Sequence, residues 1–249
     1  MNENKRILLA VAYDGTNYHG WQAQEGEVTI EGELNNALGR LTGVPTQVIG
    51  ASRTDAGVHG LCNLAVFDTC MNIEPSNIAR ALNSMLPEDI VVRRSLEVAS
   101  DFHPRKRKTL KTYRYTIDNE QFPDPLMIRY AWHVSYELDI DLMSQGAERL
   151  LGEHDFGSFC ATASTAQTHV RTVNDIKVQR DGCRIHIDVT GGGFLYNMVR
   201  IIAGTLVEVG RGKLTPDDVT DILLVKDRAK AGPTAPPQGL TLMNIDWDM

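Results

Sequence analysis

Residues 50–60, GASRTDAGVHG, set three glycines around a guanidinium at Arg53 and a carboxylate at Asp55. A β-type run leads in at 46–49 and another leads out at 64–67, so the stretch is predicted to be the loop joining two strands. A carboxylate two residues after a guanidinium, beside glycines that allow sharp turns, can be held ionised and presented at the lip of a sheet. A solvated polar turn uses the same residue types, and on these alone both readings stand.

The chain has 249 residues, 42% hydrophobic and 23% charged, enough to bury a core in one large domain or two modest ones. No apolar run approaches the ~20 residues of a membrane span, and the opening MNENKRILLAVAYDG lacks a signal peptide's small-residue cleavage site. A cytoplasmic location without membrane attachment is expected. Cys62, Cys70, Cys160 and Cys183 show no CxxC spacing, so they read as core filler and not as a zinc site or disulfide framework. The net charge of -7 argues against indiscriminate nucleic-acid binding but permits a local basic stripe. One lies at 101–115, DFHPRKRKTLKTYRY, where Arg105, Lys106, Arg107, Lys108, Lys111 and Arg114 face Asp101 alone, with Phe102, Tyr113 and Tyr115 interleaved. Cations neutralise phosphates and aromatic faces stack on unpaired bases, although a charged linker has the same composition.

Along the chain, Ile7–Tyr13 reads as a strand closed by Asp14-Gly15. The aromatics at Tyr18, His19 and Trp21 suit either a lid or RNA contact, or a loop tucked onto the core. Thr29 is predicted to cap a helix with Ile30, Leu34, Leu38 and Leu41 on one face up to Gly43, and Ser76 a second helix before Pro87. Strands are expected at 90–96 and 111–117, the latter with Tyr113 and Tyr115 on one face. The grammar then repeats. A strand is read at 131–136, a helix capped by Asp141, a hairpin with arms 173–179 and 183–189, and a long helix striped by Leu195, Val199, Ile202, Leu206 and Val209. Arg200 lies roughly 120° from that stripe, toward solvent or toward a carboxylate partner. Thr215-Pro216 opens a further helix, and the stiff loop 232–240 leads to a last strand at 241–247. The repeated alternation predicts two α+β halves, 1–104 and 105–249.

RTDAGVH, with YDGTNYHGWQ, NSMLPEDI, FHPR, KTYRY, HDFGSF, GGFLYNMVR, GTLVEVGRGK and TAPPQGL in order, resembles the tRNA pseudouridine synthase A family over nearly the whole chain. That resemblance implies a pseudouridine synthase fold, α+β, whose two related halves share a mixed, mostly antiparallel sheet with a central RNA-binding cleft. The N-terminal half would carry the catalytic loop, and the C-terminal half would complete the cleft and form a homodimer interface. It further implies isomerisation of uridines at positions 38–40 in the tRNA anticodon arm, with no cofactor and no metal. Carried over by motif, the catalytic aspartate falls on Asp55, the active-site tyrosine on Tyr113, the paired arginines on Arg53 and Arg200, and an RNA-holding arginine on Arg105. Ser52, Ala23 and Gln238 stand where the family usually has glycine, arginine and histidine.

The residues suit the implied chemistry. When the C1'-N1 bond breaks, C1' becomes positive, and one ionised carboxylate can stabilise it, attack it or remove a neighbouring proton. A hydrolase of the same bond needs a second carboxylate to activate water, whereas an isomerase must exclude water. Two other readings compete: a non-catalytic RNA-binding protein, opposed by the intact set of Asp55, Arg53, Tyr113 and Arg200, and a metal hydrolase using Asp55 and His59 with His19 or His103, for which no HxH or HxxxH pair exists.

Overall fold

Strand β1 (Lys5–Tyr13) is apolar on both faces: Ile7, Leu8, Leu9 and Val11 are all fully buried. Such a strand must be covered on both sides. The structure, a computed structural model, describes residues 4–247 and divides into two compact units, the first running to Thr109 and resuming at Leu242, the second covering Leu110–Thr241.

In the first unit β1 is followed by α1 (Ile30–Thr42), β2 (Ile49–Gly50), β3 (His59–Thr69), α2 (Pro75–Asn83) and β4 (Ile90–Val98). β1 lies between β4 and β3, antiparallel to both, with Ile7 opposite Phe67 and Leu9 opposite Ala65. Ile7, Leu9, Val11, Ala65, Phe67, Ile90 and Val92 share one buried cluster with Ile30, Leu34 and Leu38 of α1 and Ile78 and Leu82 of α2. Both helices therefore cover one face of the sheet, as their apolar stripes require. Thr29 caps α1 as expected, its side chain accepting from the Gly32 N–H at 3.2 Å, and Gly43 ends it in the left-handed region. Two expectations are corrected here. α2 begins at Pro75 after Glu74, because proline suits the first helical position, so Ser76 lies inside the first turn and does not cap it. Of the lead-in run only Ile49 pairs with β3, followed by Gly50 from the expected loop, and the Val48 N–H is taken by the Asn35 side chain at 2.8 Å.

The second unit comprises β5 (Thr109–Asp118, from Leu110), β6 (Trp132–His133), α3 (Ile140–Glu148), β7 (Gly152–Asp155), β8 (Val170–Asp181), β9 (Arg184–Gly191), α4 (Met198–Gly210) and α5 (Pro216–Val225). Its sheet runs β5-β9-β8-β7, antiparallel throughout, with the short β6 parallel to β5. Asp139, not Asp141, caps α3 by accepting from the Leu142 N–H at 3.0 Å. Thr215 and Asp218 cap α5 reciprocally. α4 is buried on nearly every side; of the expected stripe Val199, Ile202, Leu206 and Val209 lie on it, whereas Leu195 precedes its first residue, Met198. The last strand, β10 (Leu240–Trp247), belongs to the first unit from Leu242 on and lies beside β3. Cys160 is buried, but Cys70 is exposed and Cys62 and Cys183 half-buried, so only Cys160 fits the role of core filler.

Candidate active site

In the first unit the loop 51–58 joins β2 to β3, and burial alternates along it: Ser52 and Thr54 are buried, Arg53 is exposed and Asp55 is half-buried. Each inward residue has its own anchor. The fully buried Asn63 of β3 donates to the Ser52 carbonyl at 2.9 Å and accepts from the Ser52 N–H at 3.3 Å. The Thr54 hydroxyl meets the Tyr13 hydroxyl at 2.8 Å, and the Thr54 carbonyl accepts from the Trp21 N–H at 3.0 Å. Asp55 turns the chain, its carbonyl accepting from the Val58 N–H at 3.1 Å. Both backbone groups of Ser52 are thereby satisfied.

The neighbouring segment 14–21 packs against this loop. Trp21 and Tyr18 are buried, and the Tyr18 hydroxyl donates to Asp89, so these two aromatics are core and not lid; burial and that bond push the Tyr18 hydroxyl far above its ordinary range. The Nδ1 of His59 accepts from the Gly15 N–H at 3.0 Å and lies 3.1 Å from the Asp14 carboxylate. Both contacts use the same nitrogen, which accepts from Gly15 only when it carries no hydrogen and donates to Asp14 only when it does.

The FHPR element also sits on the first unit. Phe102 is buried, its carbonyl accepts from Arg6 at 2.9 Å, and Arg6 in turn grips Asp68 with two bonds of 2.7 and 2.6 Å. That pair holds the Asp68 carboxyl below its usual range. Arg107 stacks over the Phe102 ring at 5.7 Å. Arg105, Lys106 and Lys108 are left exposed on the turn.

The second unit carries Tyr113 and Arg200. Tyr113 is buried on β5, its ring edge-on to Phe194 with centroids 5.3 Å apart. Tyr115, on the same strand face, is fully buried and gives its hydroxyl to the Pro236 carbonyl at 2.8 Å, so it is structural. Burial, opposed by the charge of Arg200, pushes the Tyr115 hydroxyl far above its normal range. Arg200 is half-buried: its Nε donates to the Ala235 carbonyl at 2.7 Å and its Nη1 to the Asn197 side chain at 2.8 Å. Asn197 precedes α4 with φ 60°, a left-handed conformation that asparagine tolerates better than most residues. The GGGFLYNMVR and TAPPQGL segments therefore meet at one guanidinium. Sequence reasoning did not single out Tyr13, Asn63 or Asn197. An amide inside the apolar run LCNLAVF was a signal for Asn63, because a buried amide needs partners.

Among the described residues, no three His, Cys, Asp or Glu side chains gather as a metal site would require. Nor is any helix long and apolar enough to cross a membrane. The fold, α+β with mostly antiparallel strands, is that of the pseudouridine synthase class. The chain belongs to the tRNA pseudouridine synthase family, whose model matches residues 9–105 and 147–248. Proteins named tRNA pseudouridine synthase A match nearly end to end. The one from Thermoanaerobacter pseudethanolicus is 48% identical over 241 residues, 97% of this chain and 99% of its own length. Those from Brevibacillus brevis and Acetivibrio thermocellus are 47% and 45% identical, again over 97% of this chain and 99% of theirs.

Proposed function

We propose that this protein isomerises uridine to pseudouridine in tRNA, at positions 38–40 of the anticodon arm, with Asp55 as the catalytic carboxylate. Family membership and the names of the relatives support the reaction. The observation that supports Asp55 is the pinning of its loop: Ser52 and Thr54 are buried and bonded, and the half-buried Asp55 follows on that fixed backbone. A preorganised charge costs no reorganisation when C1' becomes positive.

The C1'-N1 bond breaks, the base rotates, and C5 joins C1'; the proton lost from C5 balances the one gained at N1. Arg53 and Arg200 contact the RNA, Arg105 holds phosphate, and Tyr113 contacts the target base. The base must leave its stack first, at a cost of a few kcal/mol that contact with an aromatic ring offsets in part. The working form is a homodimer, which light scattering alongside the activity assay checks.

The decisive experiment is incubation with unmodified tRNA and mapping of new pseudouridines, with Asp55→Asn in parallel. The substitution keeps the side chain's size and removes its charge, a loss on the order of 3 kcal/mol in the transition state, so turnover should fall at least about a hundredfold. The tRNA Kd should move by less than roughly tenfold, since phosphate contacts lie elsewhere. Near-normal turnover by Asp55→Asn would remove Asp55 from the chemistry.

A further inference from the structure

We infer that Tyr13 is a positioning residue for the catalytic loop, acting through a hydroxyl latch on Thr54; this rests on the reading of Asp55 above. The latch is built by an irregularity in the sheet. β1 pairs Val11 with Asn63, so an unbroken register would set Tyr13 opposite Leu61, yet Tyr13 faces Gly60. A bulge of this kind re-aims a side chain, and here it turns the Tyr13 ring across β3 toward the loop. Gly60 makes the crossing possible, because a Cβ there would lie 2.6 Å from Tyr13 Cζ and 2.9 Å from its hydroxyl oxygen. The hydroxyl then reaches Thr54 Oγ1 at 2.8 Å, with both residues buried.

The rest of segment 13–21 grips the same loop on both sides of Asp55. Trp21 N–H donates to the Thr54 carbonyl before it, and Gly57 N–H donates to the Tyr18 carbonyl at 3.3 Å after it. The fit is close. A Cβ on Gly20 would lie 2.6 Å from the Thr54 carbonyl oxygen, and one on Gly15 would lie 2.0 Å from that of Val58. The backbone contacts hold the loop's path, and the Tyr13–Thr54 pair adds a side-chain hydroxyl contact at the residue immediately before the carboxylate, with the Tyr13 hydroxyl also accepting from the Asn63 side chain at 3.4 Å. Catalysis is sensitive to displacements well below 1 Å, whereas overall packing tolerates them.

The test uses the full-length protein with Tyr13→Phe, Thr54→Val, the double variant and Thr54→Ser, reading single-turnover rate, tRNA Kd and melting temperature. The latch predicts that each of the first two slows turnover about tenfold or more while Kd changes less than twofold. The double variant should be no slower than the slower single, and Thr54→Ser, which restores the hydroxyl, should recover most of the rate. A merely structural role would lower the melting temperature and leave the rate per folded molecule intact. Wild-type rates in Tyr13→Phe, or losses that multiply in the double variant, overturn the latch. Asp55→Asn run in the same series separates the two ideas: if it is inactive while Tyr13→Phe is normal, the latch alone fails, and if it is active, the reading of Asp55 fails and takes the latch with it.

Discussion

Arg114 and Asp188 are register partners on β5 and β9 and form a two-pronged ion pair, Nε to Oδ1 at 2.7 Å and Nη2 to Oδ2 at 2.8 Å. The bond to Asp188 raises the Arg114 pKa still further, so this charge is committed within the second unit. The stripe from Arg105 to Arg114 is therefore not a uniform row of phosphate binders. Its exposed cations are those of the turn 105–108, and Arg107 is further occupied by Phe102.

That division predicts a difference in salt dependence. Neutralising Lys106 and Lys108 together should reduce the slope of log affinity against log salt by about 1.5, since each phosphate contact contributes roughly 0.7 to 0.9. Arg114→Gln should leave the slope nearly unchanged and instead lower stability, because Asp188 loses its partner. Binding titrations over a salt series check both. An equal slope change from Arg114→Gln would show that its pairing with Asp188 does not survive in the complex.

Much of this architecture was legible because local chemistry decided it. Thr29 and Gly43 bracket α1, and Thr215-Pro216 with Asp218 opens α5, each by contacts within four residues. The misreadings came from local competition that residue type alone does not rank, such as Pro75 against Ser76, or Asp139 against Asp141. The candidate loop stood out through RTDAGVH, but the contacts that hold it in place did not. Tyr13 reaches Thr54 and Asn63 reaches Ser52 across 41 and 11 positions, and in the second unit Arg114 likewise reaches Asp188 across 74. Only strand register brings such pairs together, and for Tyr13 the register itself contains a bulge.

A pH effect on stability follows from His186 on β9. Burial, then the nearby charge of Arg114, pushes its pKa below the ordinary 6.5, with Arg184 acting in the same direction and Asp188 and Asp181 opposing. The folded state therefore keeps the ring neutral at a pH where the unfolded chain has begun to take up a proton. Stability should be fully present above about pH 6.5 and decline as pH falls from there through the lowered folded value. His186→Gln removes that titration, so its urea midpoint should fall less between pH 7.5 and 5.5 than the wild type's. Equal declines would assign the acid sensitivity to other groups.

The last prediction sets helix propensity against packing at Gly204, inside α4. By propensity alone, Gly204→Ala should stabilise the helix by about 1 kcal/mol. A Cβ there, however, would lie 1.8 Å from the Pro233 carbonyl oxygen and 2.9 Å from its carbon, both backbone atoms without a rotamer to yield. The segment that would have to move is heavily tied. Gly232 N–H donates to Thr205 at 3.0 Å, Arg228 donates to the Gly232 carbonyl at 2.9 Å and to Thr234 at 2.9 Å, and Ala235 exchanges bonds with Arg200 at 3.1 and 2.7 Å. Overpacking alone costs typically 1–3 kcal/mol, and each hydrogen bond broken adds about 1 kcal/mol, so the loss exceeds the gain. Melting temperature should fall by several degrees. Turnover per folded molecule should fall as well, because shifting Ala235 takes away the acceptor that orients the Arg200 guanidinium. A Gly204→Ala protein with a raised melting temperature and full turnover would show that the loop 232–236 yields freely and does not position Arg200.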